Sequence, residues 1–380
     1  MSLRDVGRDA GLTHGATYAR YEDVNELLVD LWQSKLSGRA LEILDQCALA
    51  VKSPNEETFS GLIEYARRPE PRDVAMIEVL LVARRIPVVL EEVEQFVTTY
   101  LNLPEMPTPE SRVEFTHTVA LFALTMVSIF EEFYFGAESE YLDFLQETLL
   151  IAFQTDPRAT LVSGASDPPK RREYVPHDDL RSQLTYSTAL AVGKSGYSGA
   201  TISRIARRVG CSPGAIYKLY NRKEELVLDA FRRIVGAQWI QDSNYPNILR
   251  TETFSGLLLD EASDENALRR NFTFETVLAA AHNEMLRPTV SENLKDPGGV
   301  IARLEVSDDE KDLLGYVTHA IASASKGVRW LTIITDRTKG LDFHEFSGRL
   351  RLALESEWSK PKNITSHTDA VENTRSTALD

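Results

Sequence analysis

The chain has 380 residues, a formal net charge of −15 and 43% hydrophobic residues, so it can hold two or three domains with ordinary cores. Its two cysteines, Cys47 and Cys211, exclude a disulfide framework and fit a reducing, cytoplasmic setting. No signal peptide is visible, and the longest apolar stretch, residues 119–130, is shorter than the roughly twenty residues of a membrane span, which predicts a buried helix.

Residues 1–36 predict a first head of short helices. Gly11 is suited to end one helix, and Thr13 is suited to cap the next. Asp23 with Glu26 predicts the cap of a third helix. Four Lys/Arg against six Asp/Glu give this segment a balance of −2, which disfavours contact with phosphates.

Residues 37–155 predict a helical body, since no stretch alternates apolar and polar residues for long. Its clearest helices are expected at residues 75–85, 88–101, 110–135 and 141–153. Residues 156–176 are rich in Pro, Ser and charged residues and predict a linker.

Residues 177–236 predict a second head, with a helix-turn-helix at about residues 200–219. Its signals are an N-cap at Thr201, a helix stop at Gly210, a second N-cap at Ser212, a proline at the first helical position (Pro213), and a third cap at Asn221 with Glu224. A buried helical hairpin without a DNA partner is the alternative interpretation.

The run Thr-Ile-x-x-Ile-Ala-x-x-Val-Gly-x-Ser-x-Gly-x-Ile-Tyr-x-x-Tyr-x-x-Lys-Glu-x-Leu, residues 201–226, resembles the DNA-binding domain of the tetracycline-repressor-like (TetR) regulators. The resemblance spans about residues 178–235. It implies that the second helix of the motif enters the major groove of a double-stranded DNA operator. It also implies that a small-molecule effector binds the helical body and weakens DNA binding.

The resemblance assigns the DNA-contacting residues of the second head. Thr201, Tyr217 and Lys223 are expected to meet the backbone of the DNA. The full candidate set is Thr201, Arg204, Ser212, Pro213, Gly214, Ala215, Tyr217, Lys218, Tyr220 and Lys223. Those nearest the base edges are expected to be Ser212, Gly214, Ala215 and Lys218. Tyr220 is open to two interpretations, a surface contact or a core residue.

The two heads repeat one pattern at a shift of 199 residues, so that Gly11 corresponds to Gly210 and Tyr18 to Tyr217. Weaker correspondences follow at 201 and 202 residues, the last of which pairs His117 with His319. The repeat predicts an all-α protein of two fused TetR-like units. The first head starts at its second helix, either because the true start lies upstream or because the copy has decayed. Its weaker DNA-binding candidates are Arg4, Thr13, His14, Gly15, Tyr18, Arg20 and Tyr21.

Charge separates the second head from the rest of the chain. Residues 178–235 hold ten Lys/Arg and five Asp/Glu, a balance of +5, which leaves −20 for the remainder. A basic head on an acidic body can bind DNA, because phosphate attraction is local and is screened beyond about 10 Å at ordinary salt.

No catalytic motif, cofactor-binding loop or metal-ligand spacing is present in the sequence, so no enzyme activity, cofactor or metal is expected. His117 and His319 have two open interpretations: residues that line a ligand pocket, or satisfied polar residues at a helix interface.

The second body is expected over residues 237–358, with helices at about 221–241, 265–286, 308–335 and 343–358, and residues 359–380 are expected to be disordered. The two bodies of one chain are expected to pair as a pseudo-dimer, or two chains to form a homodimer. The sequence therefore predicts a DNA-binding transcriptional regulator, a repressor released by a small molecule. The alternative is a ligand-sensing or protein-binding helical module with vestigial heads.

Overall fold

The structure, a computed structural model, describes residues 3–100, 108–136, 139–155, 175–236, 267–296, 299, 301–303, 306–335, 341 and 343–359. Every regular element within these ranges is a helix, which confirms the all-α fold class. Most of the expected linker, residues 237–266 of the second body and residues 360–380 of the expected tail lie outside the described residues.

The first half of the chain holds a head of three short helices followed by a body of six. The head contains α1 (Leu3–Asp9), α2 (His14–Tyr18) and α3 (Val24–Leu31), which continues through a π-helical turn at Trp32–Leu36. The body contains α4 (Ser37–Lys52), α5 (Glu56–Arg67), α6 (Pro71–Val82), α7 (Pro87–Tyr100), α8 (Pro109–Phe135) and α9 (Ser139–Gln154).

The second half begins with one helix more than the first. Its head contains α10 (Leu180–Gly199), which kinks at Gly196, then α11 (Ile202–Val209), α12 (Pro213–Tyr217) and α13 (Lys223–Phe231), followed by a π-helical turn at Arg232–Gly236. Its described body contains α14 (Ala267–Ala281), α15 (Arg287–Lys295), α16 (Asp308–Ile334) and α17 (His344–Ser359).

The longest helix of each body begins with the same device. Thr108 and Ser111 cap α8 reciprocally, and Ser307 and Glu310 cap α16 in the same way. Helix α8 is long and apolar enough to cross a membrane by length and composition, but 83% of its most apolar window is buried inside the protein. It is therefore a core helix here, as the sequence predicted for residues 119–130.

The structure corrects the expected helix at residues 265–286, which ends early. Helix α14 stops at Ala281, and the side-chain oxygen of Asn283 accepts hydrogen bonds from the backbone N–H groups of Met285 (3.0 Å) and Leu286 (3.3 Å). Asparagine stabilises such turns because its short amide reaches the backbone two residues on. Helix α15 then starts with Pro288 in its first turn, where the missing N–H costs nothing.

The two bodies pack directly on each other. Helix α8 lies along α16, α9 lies along α17, and α10 of the second head lies along α14. Arg349 of α17 donates to the carbonyls of Ala152 (3.4 Å) and Thr155 (3.1 Å) at the end of α9. An arginine at a helix C-terminus stabilises carbonyls that have no partner within the helix. Within the described residues, these contacts join the two halves through α8, α9, α16 and α17.

Candidate nucleic-acid interface

Hydrogen bonds from side chain to backbone set the helix-turn-helix of the second head. The Thr201 hydroxyl oxygen accepts from the Arg204 N–H (3.3 Å) and starts α11. Gly210 ends α11 at φ 79° and ψ 25°, a left-handed conformation that favours glycine. The Ser212 oxygen then accepts from the Ala215 N–H (3.2 Å) and starts α12. Both caps and the stop lie where the sequence predicted them.

The third cap differs from the expectation. Helix α13 starts at Lys223, one residue later than a cap at Asn221 implies. Glu225 rather than Glu224 reaches back, and its carboxylate accepts from the Asn221 backbone N–H at 2.9 Å. Glu224 is held instead by the Tyr197 hydroxyl, which donates to its carboxylate. The spacing of residues 221–225 did not indicate the contact of Glu224, because its partner Tyr197 comes from α10.

A small apolar core fixes α12 against its neighbours. Ile205 and Ala206 of α11, Ile216 of α12 and Leu226 of α13 are all at most 1% exposed. Ile216 is the one fully buried residue of α12, so this five-residue helix rests on a single apolar side chain and leaves its other side to solvent. The short helix is thus presented outward by the rest of the head.

The outward side of α12 carries most of the expected contact residues. Tyr217 is 55% exposed and lies beside exposed Lys218. Ser212, Pro213 and Gly214 are exposed at the N-terminus of the helix, and Ala215 is half-buried. A helix with an exposed N-terminal end and small residues there can approach base edges in a major groove closely.

Exposed basic side chains lie on three elements of the second head: Lys218 directly after α12, Arg207 and Arg208 on α11, and Lys194 on α10. Lys194, Arg207, Arg208 and Lys218 are exposed and form no ion pair within the part of the chain that the structure describes. Of these, only Lys218 was among the sequence-based candidates. The expected contact Arg204 is exposed, and its guanidinium donates to the Gly199 carbonyl at 3.0 Å. The basic residues of α11 carried a signal in the sequence, since Arg207 and Arg208 fall opposite its apolar face.

Tyr220 belongs to the core of the head. It is 5% exposed, and its hydroxyl donates to the Asp229 carboxylate at 2.6 Å. Arg181 of α10 also donates to Asp229, at 2.8 and 3.0 Å. Burial acts to raise the pKa of Asp229, but the hydrogen bonds from Arg181 and Tyr220 more than offset it and hold this pKa below its usual value. Tyr220 therefore ties the segment that follows α12 to α13.

Lys223 is half-buried and is held by α10. Its ammonium lies 3.7 Å from the centre of the Tyr197 ring and donates to the Tyr197 carbonyl oxygen. Burial lowers the pKa of this ammonium. Cation–π contact and a carbonyl acceptor are both favourable for a lysine beside an aromatic ring. The sequence did not indicate Tyr197 as its partner.

The first head repeats the skeleton of the second. Thr13 accepts from the Ala16 N–H at 3.2 Å, the Glu26 carboxylate accepts from the Glu22 N–H at 2.6 Å, and Gly11 has a φ of 68°. The Tyr21 hydroxyl donates to Asp30 as Tyr220 does to Asp229. The repeated tyrosine–aspartate spacing of nine residues was the signal in the sequence that could have identified this pair.

The surface and the core of the first head differ from those of the second. Arg8 of α1 forms ion pairs with Asp5 (3.4 Å) and Asp9 (3.2 Å). Leu12 is 54% exposed and lines an open pocket of ≈ 660 Å³. Whereas α13 has four buried residues, α3 has none. The first head is a helix-turn-helix with paired charges and an open core.

The remaining first-head candidates lie around α2. Thr13, Gly15, Tyr18, Arg4 and Arg20 are exposed, and His14 is the first residue of α2. Arg20 lies 3.7 Å from Asp30, and its guanidinium lies over the Tyr21 ring. Tyr21 is half-buried. The exposed residues thus include one basic side chain that is already close to a carboxylate.

The two candidate histidines are buried between the bodies, at different places. The caps of α8 and α16 are 199 residues apart and both helices have 27 residues. A shift of 199 places Tyr316 at the position of His117, whereas the shift of 202 pairs His117 with His319.

Each histidine has its own surroundings. His117 lies between Phe153 and Phe346, and burial, followed by the charge of Arg349, lowers its pKa to about 4. His319 stacks on Tyr141 at 3.9 Å between ring centres, and its Nε2 lies 2.9 Å from the Glu131 carboxylate. Among the described residues, no group of three or more His, Cys, Asp or Glu could hold a metal ion.

Comparison with known proteins identifies one segment. Residues 191–230 match the family described as bacterial regulatory proteins of the tetR family. None of the curated proteins matches the chain. The matched residues run from the second half of α10 to α13 and include the whole helix-turn-helix. The match and the geometry of the second head support a DNA-binding transcriptional regulator of the tetR family.

Proposed function

We propose that this protein is a transcriptional repressor made of two fused tetR-like units, in which the second head binds the operator. The observation that carries the proposal is the exposed α12, followed directly by Lys218 and packed on α11 with its exposed Arg207 and Arg208. None of these three basic side chains forms an ion pair within the described residues. In this mode α12 enters the major groove and α11 crosses the backbone. The proposed location is the cytoplasm, and no catalytic step is involved.

Each proposed contact has a distinct role. Thr201 and Tyr217 meet phosphates, while Ser212, Gly214, Ala215 and Lys218 lie nearest the base edges. Arg207 and Arg208 add to the attraction of the phosphate backbone. Lys223 meets a phosphate only after it leaves the Tyr197 carbonyl, so its contact depends on a small movement of α13 or of its own side chain.

The duplication is supported by hydrogen bonds that recur at a fixed shift. The cap of α2 recurs in α12, and the tyrosine–aspartate bond recurs 199 residues later. The caps of α8 and α16 have the same shift. We propose that the two bodies pair within one chain as a pseudo-dimer. The two heads then differ, so the operator need not be palindromic.

Release by a small molecule is part of the proposal because the tetR family resemblance implies it. Helix α14 lies along α10, so a change in the second body can reach the head that carries α12. His117 and His319 stay candidates for a ligand pocket, and their burial between the bodies suits an interface role equally.

The test begins with DNA fragments selected from the host genome by the purified protein. Binding of a selected fragment is expected to weaken by about 0.9 log units per log unit of salt for each phosphate neutralised. Tyr217→Ala is expected to weaken it by about tenfold, and the matched control Tyr18→Ala, at the same position of the first head, is expected to have little effect.

Regulation is tested on the same fragment. Placed upstream of a reporter gene, it should lower expression when the protein is present, and an added effector should restore expression. Binding that is absent, or that does not change with salt, contradicts the proposal and favours a ligand-sensing or protein-binding module with vestigial heads.

A further inference from the structure

A buried polar cluster joins the two bodies where α8 crosses α16. The carboxylate of Glu131 on α8 lies 2.9 Å from His319 Nε2 and accepts from the Ser323 hydroxyl at 3.1 Å, both on α16. Lys326 of α16 donates its ammonium to the other carboxylate oxygen. All four residues are at most 7% exposed. Helix α8 therefore supplies the carboxylate, and α16 supplies its three hydrogen-bond donors.

Charge states follow from these contacts. Burial acts to raise the pKa of Glu131, but the charge of Lys326 and the hydrogen bond from His319 more than offset it and hold the pKa below its usual range. Burial lowers the pKa of His319, so the neutral imidazole donates from Nε2. Glu131 is thus an ionised carboxylate with three donors.

The crossing is close, which fixes the register of the two helices. A Cβ atom at Gly327 would lie 2.8 Å from the carbonyl carbon of Ala123, so only glycine fits between the backbones there. Tyr141 of α9 stacks on the His319 ring and covers the cluster. The polar residues of α16 cannot slide to other partners without a clash.

The cluster has no counterpart on the other side of the pseudo-symmetry. At a shift of 199 residues, Glu131 corresponds to Trp330. The positions that correspond to His319, Ser323 and Lys326 are Ala120, Leu124 and Val127. These four residues are buried and apolar, apart from the Trp330 N–H. The two faces of the interface are therefore different, one charged and one apolar.

We propose that this asymmetric cluster selects the pairing partner, so that the surface of α8 accepts α16 and rejects a second α8, and α16 likewise rejects itself. The inference rests on the proposed function, because it specifies how the two tetR-like units pair.

Each homotypic pair leaves a buried charge without a partner. Two α8 helices crossed in the same way would place each Glu131 against Ala120, Leu124 and Val127, which offer no side-chain donor. Two α16 helices would place each Lys326 near Trp330, which offers no carboxylate. Loss of one partner of a buried ion pair weakens association by roughly a hundredfold or more. Specificity of this kind arises from the penalty on wrong partners.

The experiment asks which halves associate in the full chain after one cut. A protease site is placed between residues 160 and 170, the purified protein is nicked, and the first half is captured by an N-terminal tag. Nicked protein is also mixed with an isotope-labelled batch, and native mass spectrometry identifies the pairs. We expect only pairs of one first half with one second half.

Charge variants test the cluster itself. Glu131→Lys places a second cation beside Lys326 and is expected to weaken co-capture by roughly a hundredfold. The double variant Glu131→Lys with Lys326→Glu restores opposite charges and is expected to recover it. Glu94→Lys, the same change at an exposed position of α7, is the matched control and is expected to leave co-capture unchanged.

An apolar variant tests specificity without loss of folding. Glu131→Trp, His319→Ala, Ser323→Leu and Lys326→Val together make the charged face resemble the apolar one, and the halves are expected to form homotypic pairs as well. Strictly heterotypic pairs in this variant, or unchanged co-capture with Glu131→Lys, would overturn the inference. DNA binding by the second half is measured in parallel. If the second half binds DNA but the halves pair unselectively, only the inference fails. If the halves pair selectively but the second half does not bind DNA, only the proposed function fails.

Discussion

The two heads have the same backbone skeleton and opposite surfaces. Both have a glycine with positive φ before the second helix, a hydroxyl cap on that helix, and a tyrosine that donates to an aspartate nine residues later. The second head adds basic residues that form no ion pair within the described residues, and its core is closed. The first head instead pairs Arg8 with Asp5 and Asp9. A helix-turn-helix is therefore set by caps and turns between nearby residues. DNA binding depends on the exposed side chains, which can change without altering that backbone.

The core difference follows from α10. Arg181, Tyr197 and other residues of this helix contact α13 and cover it. In the first head, by contrast, Leu27, Leu28 and Leu31 of α3 are only half-buried. A head with less buried apolar area has less free energy of unfolding, at about 25 cal/mol per Å².

The largest expected difference between the heads is in DNA affinity. Arg207→Glu, Arg208→Glu and Lys218→Glu together replace three attractive charges by repulsive ones, and we expect affinity for a selected fragment to fall by roughly 10³-fold. The salt dependence should become flatter by about 2.7 log units per log unit of salt. Fluorescence anisotropy titrations at several salt concentrations measure both.

The matched control makes the same change in the first head. Arg4→Glu, Arg8→Glu and Arg20→Glu are expected to change affinity little, because Arg8 and Arg20 lie beside carboxylates. Equal losses from the two triple variants would break the comparison.

The next effect concerns the core. Leu226 is fully buried, and Leu27 at the corresponding position is half-buried. Leu226→Ala is expected to lower the free energy of unfolding of the second head by about 3 kcal/mol, and Leu27→Ala that of the first head by about 1 kcal/mol. Native-state hydrogen exchange of the backbone amides in α11 and α1 follows each head separately. A larger loss from Leu27→Ala would show that the first core is not the open one.

The smallest effect is a gain. Asp5→Arg, Asp9→Arg and Ala19→Lys give the first head the bases that the second has at Arg204, Arg208 and Lys218. They also free Arg8 from its two ion pairs. If charge is the main deficit, non-specific DNA affinity should rise by about tenfold, with a steeper salt dependence. The gain is measured in a chain whose second head carries the triple glutamate change. An unchanged DNA affinity would indicate that the open core of the first head, rather than its charge, limits binding.

Sequence alone determined the parts of this protein that depend on nearby residues. The caps at Thr201 and Ser212, the stop at Gly210 and the long helices near residues 110–135 and 308–335 lie where the spacing predicted them. These features depend on hydrogen bonds and apolar periodicity within a few turns of chain, which a single sequence displays. The same locality made the helix-turn-helix recognisable in both heads.

Tertiary structure decided what depends on residues far apart in the chain. The partners of Lys223 and Glu224 come from α10. Tyr220 is a core residue, and its hydroxyl donates to Asp229 of α13. The pairing of Glu131 with Lys326 spans 195 residues. No local pattern encodes such contacts, because they arise only when separate helices pack and exclude water, and that packing also decides which charges remain free for a partner.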